Sequence, residues 1–414
     1  MFIDLNSLRG IIIDLDSFPS CEDDSWNEID DSIGLLFFSD SDAVRLGEIA
    51  LMNPRYKTYH GTPTSIFAKK KALLEILASL KMHSYEVAFL SSNYENLVRI
   101  QELPIATIQY APDDLIAYDE VGKLADFQIS SVVDINAIIQ RTAGGYFAEV
   151  LSVIFNRGSQ LEFQKAGVIV TVKDYHGFRC DVVSGGRYFN TNDVRFPYHQ
   201  LSQRILQNKR LEARQDSVFR VIYRDLIRFI SDNIQPVDGI TRIPPRPSDS
   251  DDRFRPIVDS ICTSNKQYQN YCSHLKCIKE YPSQKGLNEQ ERQANILGAF
   301  VADKIFAGKH VVLIDDVIST GATAFEAAKM LYQNGASRVT ILVLAINQLT
   351  NNIRRHHYKP LVCGCGGQFR MRFNSQNHSA FFGCSGYPNC RATLNFFEGL
   401  ERHNVENEII ADEG

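Results

Sequence analysis

Residues Val311–Thr323 read VVLIDDVISTGAT, and this run decides the fold of the centre of the chain. Val311–Ile314 has the length and β-branched character of a buried strand. It delivers Asp315 and Asp316 at its carboxyl end, the edge at which open α/β sheets bind ligands. Ser319, Thr320, Gly321, Ala322 and Thr323 then turn into the helical pattern AFEAAKMLYQN, and a second apolar run, Val339–Ala345, completes an α/β unit. A small, hydroxyl-bearing turn at a helix start surrounds a phosphate with N–H groups and hydroxyls, and Gly321 lets the backbone approach the anion. Carboxylates inside that cradle would repel the phosphate. Placed just ahead of it, they suit ribose hydroxyls as acceptors, so the expected ligand group is a ribose 5-phosphate.

The run resembles the phosphoribosyl pyrophosphate motif of the type I phosphoribosyltransferases. Asp238–Pro245 (DGITRIPP) is similar to the strand and pyrophosphate loop of the ComF-like subgroup, and Leu287–Phe300 (LNEQERQANILGAF) to its signature ahead of the phosphate motif. The resemblance covers about 200–350 and implies a parallel-sheet domain that binds phosphoribosyl pyrophosphate with Mg2+. It implies that Asp315 and Asp316 hold the ribose, that Ser319–Thr323 holds the 5-phosphate, and that Pro245 and Arg246 lie in the pyrophosphate loop. Lys285 is expected on a loop that closes over the site. The chain departs from the subgroup at Arg246–Ile257 (RPSDSDDRFRPI), where acidic residues surround Arg253 and Arg255. The acceptor stays open: orotate, purine and amide groups all suit the motif.

Outward from this centre, a chain of 414 residues exceeds what one core ordinarily supports, so several domains are expected. Hydrophobic content of 44% and a net charge of -5 fit a soluble globular chain and exclude one that is basic throughout. No apolar stretch is long enough for a membrane span and MFIDLNSLRG lacks a signal-peptide pattern, so a cytoplasmic protein with no membrane partner is expected.

Near the start, Arg9–Phe18 reads RGIIIDLDSF: an apolar strand ending in two aspartates on one side, Asp14 and Asp16, with Leu15 opposed. Val87–Asn93 (VAFLSSN) is a second strand ending in a hydroxyl, Ser91. These runs resemble the first two motifs of haloacid-dehalogenase-like phosphohydrolases. The resemblance implies a Rossmann-like domain over 1–135, Asp14 as nucleophile, Asp16 as general acid, Ser91 as phosphoryl holder, and Mg2+ beside them. Lys123 and Asp113-Asp114 are the nearest candidates for the later motifs. The acidic stretch 21–31 is expected to be a loop, and 136–199 a connector or hood.

Toward the other end, Cys363 and Cys365 are followed after eighteen residues by Cys384, and after five more by Cys390. In a cytoplasmic chain such a cluster reads as a four-thiolate zinc site. The segment 358–400, with CGG, an arginine-bearing strand, FFGC and SGYPNC, resembles the zinc ribbon of type I DNA topoisomerases. His378 is expected in a hairpin turn. The resemblance implies binding of single-stranded DNA or another nucleic acid through Arg370, Arg372, Phe381, Tyr387 and Arg391. Residues 401–414 are expected to be a tail.

The expected architecture is therefore multidomain α/β: a haloacid-dehalogenase-like domain, a type I phosphoribosyltransferase domain at 200–350, and a four-cysteine zinc ribbon. The expected function is a phosphoribosyltransferase-type enzyme brought to nucleic acid, in DNA uptake, repair or phage defence, with a second, phosphohydrolase activity open. The alternative is a DNA-binding regulator that senses phosphoribosyl pyrophosphate without chemistry.

Overall fold

A computed structural model describes residues 8–61, 70–101, 105–112, 116–139, 145–153, 167–210, 217–282, 289–349 and 359–408. The chain is multidomain α/β, with two large sheets and a small antiparallel one.

The first sheet holds β1 (Gly10–Asp14), β2 (Gly34–Ser39), β3 (Lys57–His60), β4 (Val87–Ser91), β5 (Ala106–Tyr110) and β6 (Phe127–Ile129), in the order β3-β2-β1-β4-β5-β6. All five pairings are parallel. Strands β1, β2, β4 and β5 are buried almost throughout, as near-continuous apolar runs in a parallel sheet must be. The strand order reverses between β1 and β4, so the carboxyl ends of these two strands flank the crevice where such sheets take ligands. The acidic stretch expected to be a loop contains a 3-10 helix, Ser20–Glu28. Its cause is Trp26, fully buried between Phe18 and Phe37 at ring separations of 5.2 and 5.3 Å. An apolar anchor of that size outweighs the polarity of its neighbours.

The second sheet has seven strands. They are β7 (Ile169–Tyr175), β8 (Phe178–Ser184), β9 (Arg187–Tyr188), β10 (Gly239–Arg242), β11 (Gln269–Asn270), β14 (His310–Ile318) and β15 (Arg338–Asn347). A separate hairpin pairs β12 (Leu275–Cys277) with β13 (Phe300–Ala302). Residues 136–199 are not a connector standing apart: β8 pairs with β15 in parallel, and β7 closes that edge as an antiparallel hairpin. The helix Ser217–Asn233 packs one apolar stripe, from Val218 to Ile230, on one face, and the helix Ala322–Gln333 covers the other.

Buried polar contacts tie the two large sheets together. Arg187 bonds the Glu149 carboxylate through two nitrogens and reaches Asp126, just ahead of β6, at 3.0 Å. Burial alone would raise the Glu149 carboxyl, but Arg187 and His199 beside it hold it well below the usual carboxylate range. The Tyr146 hydroxyl donates to the Ala125 carbonyl at 3.0 Å.

The third sheet is antiparallel: β16 (Phe369–Phe373), β17 (Ala380–Cys384) and β18 (Thr393–Asn395). The helix Phe396–Glu406 follows and packs through Leu400, His403 and Asn404, so the ordered fold runs past residue 400, where a tail was expected. Tyr198 stacks on His403 with centroids 3.9 Å apart, and the Arg204 guanidinium lies 3.9 Å from the Phe373 ring centre. No helix among the described residues is long and apolar enough to cross a membrane.

Candidate functional site

Strand β14 is longer than its apolar core. Its pairing with β15 continues to Ile318, whereas its pairing with β10 stops at Ile314 opposite Arg242. Asp315 and Asp316 therefore emerge where one neighbouring strand has ended, and Asp315 lines a cavity of about 390 Å3 together with Pro244, Pro245, Arg246, Arg253 and Tyr281. Burial and the adjacent Asp316 charge raise the Asp315 carboxyl to about 7. The Tyr223 hydroxyl donates to the Asp315 carbonyl at 2.6 Å and fixes the backbone there.

The turn after the acids follows from the conformation of one glycine. Gly321 caps the helix Ala322–Gln333 at φ 78°, a left-handed conformation that a side chain would strain. A Cβ there would lie 2.2 Å from Phe325. Ser319 is exposed and Thr320 and Thr323 are half-buried, while Gly321 and Ala322 are buried. The turn thus offers hydroxyls and a helix N-terminus on the same edge as the acid pair.

Two acids of the insert, Asp249 and Asp252, are held by arginines, while Asp251 lines the cavity. Asp249 takes the Arg246 backbone N–H and two guanidinium nitrogens, and Asp252 pairs with the buried Arg242 at 2.6 Å. Arg253 reaches Asp316 at 3.3 Å and Lys209 reaches it at 3.1 Å. Lys209 carried no signal in the sequence, because it comes from the helix Gln200–Arg210 and meets Asp316 only in the fold. Lys285 lies outside the described residues, as do Asp113 and Asp114.

At the first sheet, the two aspartates are bonded by different neighbours of β1: Asp14 by Ser91 at the end of β4, Asp16 by Ser39 at the end of β2. Asp14 ends β1 buried, with one carboxylate oxygen taking bonds from Ser91 (2.7 Å) and Asn96 (2.9 Å). Burial raises its pKa, and among the described residues its second oxygen has no partner. Asp16 takes bonds from Ser39, Ser41 and the Asp40 N–H, and its charge adds to burial in raising the Asp14 carboxyl. Lys123 precedes β6, which runs parallel to β1, so it lies toward the opposite edge from Asp14. Asp14 and Asp16, with Asp40 beside them, are the described acids at the end of β1, while Asp113 and Asp114 lie outside the described residues.

The four cysteines converge. Cys363, Cys365, Cys384 and Cys390 have their sulfurs all within 4.8 Å of one another, with Cys363–Cys390 at 3.7 Å and Cys365–Cys384 at 3.4 Å. A tetrahedral four-thiolate metal with bonds of about 2.3 Å needs sulfurs roughly 3.8 Å apart. A Cβ at Gly367 would stand 3.0 Å from the Cys384 sulfur, so the turn has room for the thiols and little else. This donor set fits a metal ion such as zinc. His378 is held away from it in the hairpin turn, bonded through its carbonyl to Arg204 and through its ring to Ser217.

The sheet above the cysteines has two unlike faces. Phe369, Met371 and Phe382 are buried, whereas Arg370, Arg372 and Arg391 are exposed, as is Tyr387. Phe381 is half-buried and stands across from Arg372 in the register.

No family model matches the chain. Local similarity connects it to the DNA utilization protein YhgH of Escherichia coli K12, 38% identical over 58 residues, which is 14% of this chain and 26% of that protein. It connects it also to competence protein F of Haemophilus influenzae, 35% identical over 74 residues, or 17% of this chain and 32% of that protein. The matches thus span about a third or less of these curated relatives. Among solved structures, an allosteric regulatory enzyme of purine biosynthesis aligns at 18% identity over 30% of this chain and 25% of its own, with TM-score 0.20. Leishmania donovani UMP synthase aligns at 10% identity over 79% of this chain and 74% of its own, with TM-score 0.22. The local ComF-type similarity and the α/β architecture hold independently of them.

Proposed function

We propose that the chain is a ComF-like phosphoribosyltransferase-type protein that binds phosphoribosyl pyrophosphate or a related ribose phosphate and is held on nucleic acid by a zinc ribbon. The carrying observation is the placement of Asp315 and Asp316, beside a pocket that contains Arg246 and Arg253, directly ahead of the Gly321 turn. In this reading Asp315 and Asp316 accept the ribose hydroxyls, and Ser319, Thr320, Gly321, Ala322 and Thr323 surround the 5-phosphate. Pro245 and Arg246 shape the pyrophosphate side, and Lys285 belongs to the closing loop. The reaction breaks the bond between the anomeric carbon and pyrophosphate, and an acceptor forms the new bond as positive charge builds on the ring. Mg2+ brought in with phosphoribosyl pyrophosphate would neutralise the departing pyrophosphate. Arg253 and Lys209 are placed to take over further negative charge.

The domains are proposed as a haloacid-dehalogenase-like part over 1–135 and a ComF-like part over 200–350 that recruits β7–β9. A zinc ribbon over 358–400 extends into its following helix. Four thiolates from Cys363, Cys365, Cys384 and Cys390 would hold Zn2+ as a closed structural site. Arg370, Arg372, Phe381, Tyr387 and Arg391 form the nucleic-acid face, cations for phosphate and rings for stacking. Phosphohydrolase chemistry is proposed for Asp14 as nucleophile, Asp16 as general acid and Ser91 as phosphoryl holder.

A second reading, a sensor without chemistry, is favoured by one observation: Arg246 is held by Asp249 and Arg253 by Asp316 rather than standing clear. Exchange of labelled pyrophosphate into phosphoribosyl pyrophosphate separates the two. Exchange at a rate abolished by Asp316→Asn supports the transferase; saturable binding with no exchange supports the sensor.

A further inference from the structure

Tyr118 is remote in sequence from the phosphate turn, yet it touches it. It lies between β5 and β6, on a segment that the first sheet sends across to the second. That segment is fastened on both sides of Tyr118. The Thr171 hydroxyl donates to the Ile116 carbonyl at 2.6 Å, and the Leu349 N–H donates to the Gly122 carbonyl at 2.8 Å. Gln348 accepts from the Leu124 N–H and donates to the Val121 carbonyl. Ile116, Val121 and Leu124 are buried in the same core as Ala322 and Phe325, the start of the helix behind the turn.

Between these fastenings, the Tyr118 ring meets Phe325 edge-on with centroids 5.3 Å apart. The Lys173 ammonium stands 5.2 Å from the Tyr118 ring centre. The tyrosine hydroxyl oxygen is buried and lies 2.7 Å from where a Cβ on Gly321 would stand. Tyr118 and Phe325 together therefore fill the side-chain side of Gly321, the one residue whose left-handed backbone opens the helix.

We infer that Tyr118 is a positioning residue for the phosphate turn, so that the amino-terminal part of the chain supplies the outer wall of a ligand site formed by the central part. The inference rests on reading Ser319–Thr323 as a phosphate cradle. A glycine at this position has unusual freedom on both sides of φ zero. Left unwalled, the turn must be ordered when the anion binds, at the expense of affinity; walled by Tyr118, it is ordered beforehand. The wall is the aromatic ring packed on Phe325, so phenylalanine at 118 keeps it and alanine removes it.

The test is calorimetric titration of the full chain with ribose 5-phosphate, comparing wild type with Tyr118→Ala, Tyr118→Phe and Asp316→Asn. Tyr118→Ala is expected to weaken binding about tenfold, a loss of about 1.4 kcal/mol, while Tyr118→Phe stays within about twofold of wild type. A thermal melt checks that Tyr118→Ala is folded, and Tyr118→Leu replaces it if it is not. Wild-type affinity in the folded alanine or leucine variant, with Asp316→Asn impaired, overturns the inference and leaves the ribose-phosphate reading standing. Equal losses in the alanine and phenylalanine variants overturn the wall in favour of a direct hydroxyl contact. A wild-type chain that does not bind ribose 5-phosphate refutes the reading itself, and the inference with it.

Discussion

The Lys209 ammonium and the Arg253 guanidinium converge on the same carboxylate oxygen of Asp316, at 3.1 and 3.3 Å. One cation comes from a helix of the second sheet's outer layer and the other from the loop after β10. Both offset the Asp316 charge, and in the proposed reading both stand on the pyrophosphate side of the site. Lys209→Ala and Arg253→Ala should therefore each weaken phosphoribosyl pyrophosphate binding about tenfold, the scale of one charge-assisted hydrogen bond. Ribose 5-phosphate, which has no pyrophosphate, should lose less. Calorimetry with both ligands checks the difference.

Asp315 gives a pH dependence with a definite sign. Its carboxyl is raised from 3.8 to about 7, first by burial and then by Asp316. The folded state therefore binds a proton more tightly than the unfolded chain. The resulting stability is fully present below 3.8 and is lost as pH rises through about 7. Asp315→Asn, which mimics the neutral acid, should abolish this loss, so the variant should melt above wild type at pH 8 and close to it near pH 4. Melting curves across that range are the measurement. A constant offset would contradict it.

Arg187 holds two buried carboxylates from different parts of the chain, Glu149 and Asp126. Removing one member of a buried ionic group leaves charge without a partner, which costs about 3–5 kcal/mol. Arg187→Ala should show a destabilisation of that size in urea unfolding. Since Asp126 lies at the junction of the two large sheets, proteolysis should also begin at the segments between them.

Much of this was legible in the sequence, and what was not has a common cause. The apolar runs of β1, β2, β4, β14 and β15 stand out because strands buried on both faces have no room for polar residues. The cysteine spacing announces its cluster because few other arrangements use four thiols so closely. The pairing of β8 with β15 was hidden: Val182 and Ile341 are partners across a long separation, and nothing local specifies it. Lys209 and Tyr118 were missed for the same reason. The bond from Ser39 to Asp16 was likewise hidden, since it joins two strand ends that only the fold brings together. Trp26 was readable in retrospect, as the only tryptophan in an otherwise polar stretch.

The cysteine cluster should behave as a metal site. The purified chain should carry about one zinc ion, and Cys384→Ser should lose it, as should acidification, since thiolates must be deprotonated to bind. Phe382, Phe396 and Leu400 share a core with Cys363 and Cys384, so a chelator should loosen β16–β18 and the helix after them while the two large sheets persist. Metal analysis paired with hydrogen exchange checks both parts.

The most direct test is titration of phosphoribosyl pyrophosphate with Mg2+ into the wild-type chain and into the Asp315→Asn/Asp316→Asn double variant. Saturable binding by the wild type, lost in a double variant that still folds, is the predicted result. Absence of binding by the wild type, or equal binding by both, would contradict the assignment of Asp315, Asp316 and the Gly321 turn as a ribose-phosphate site.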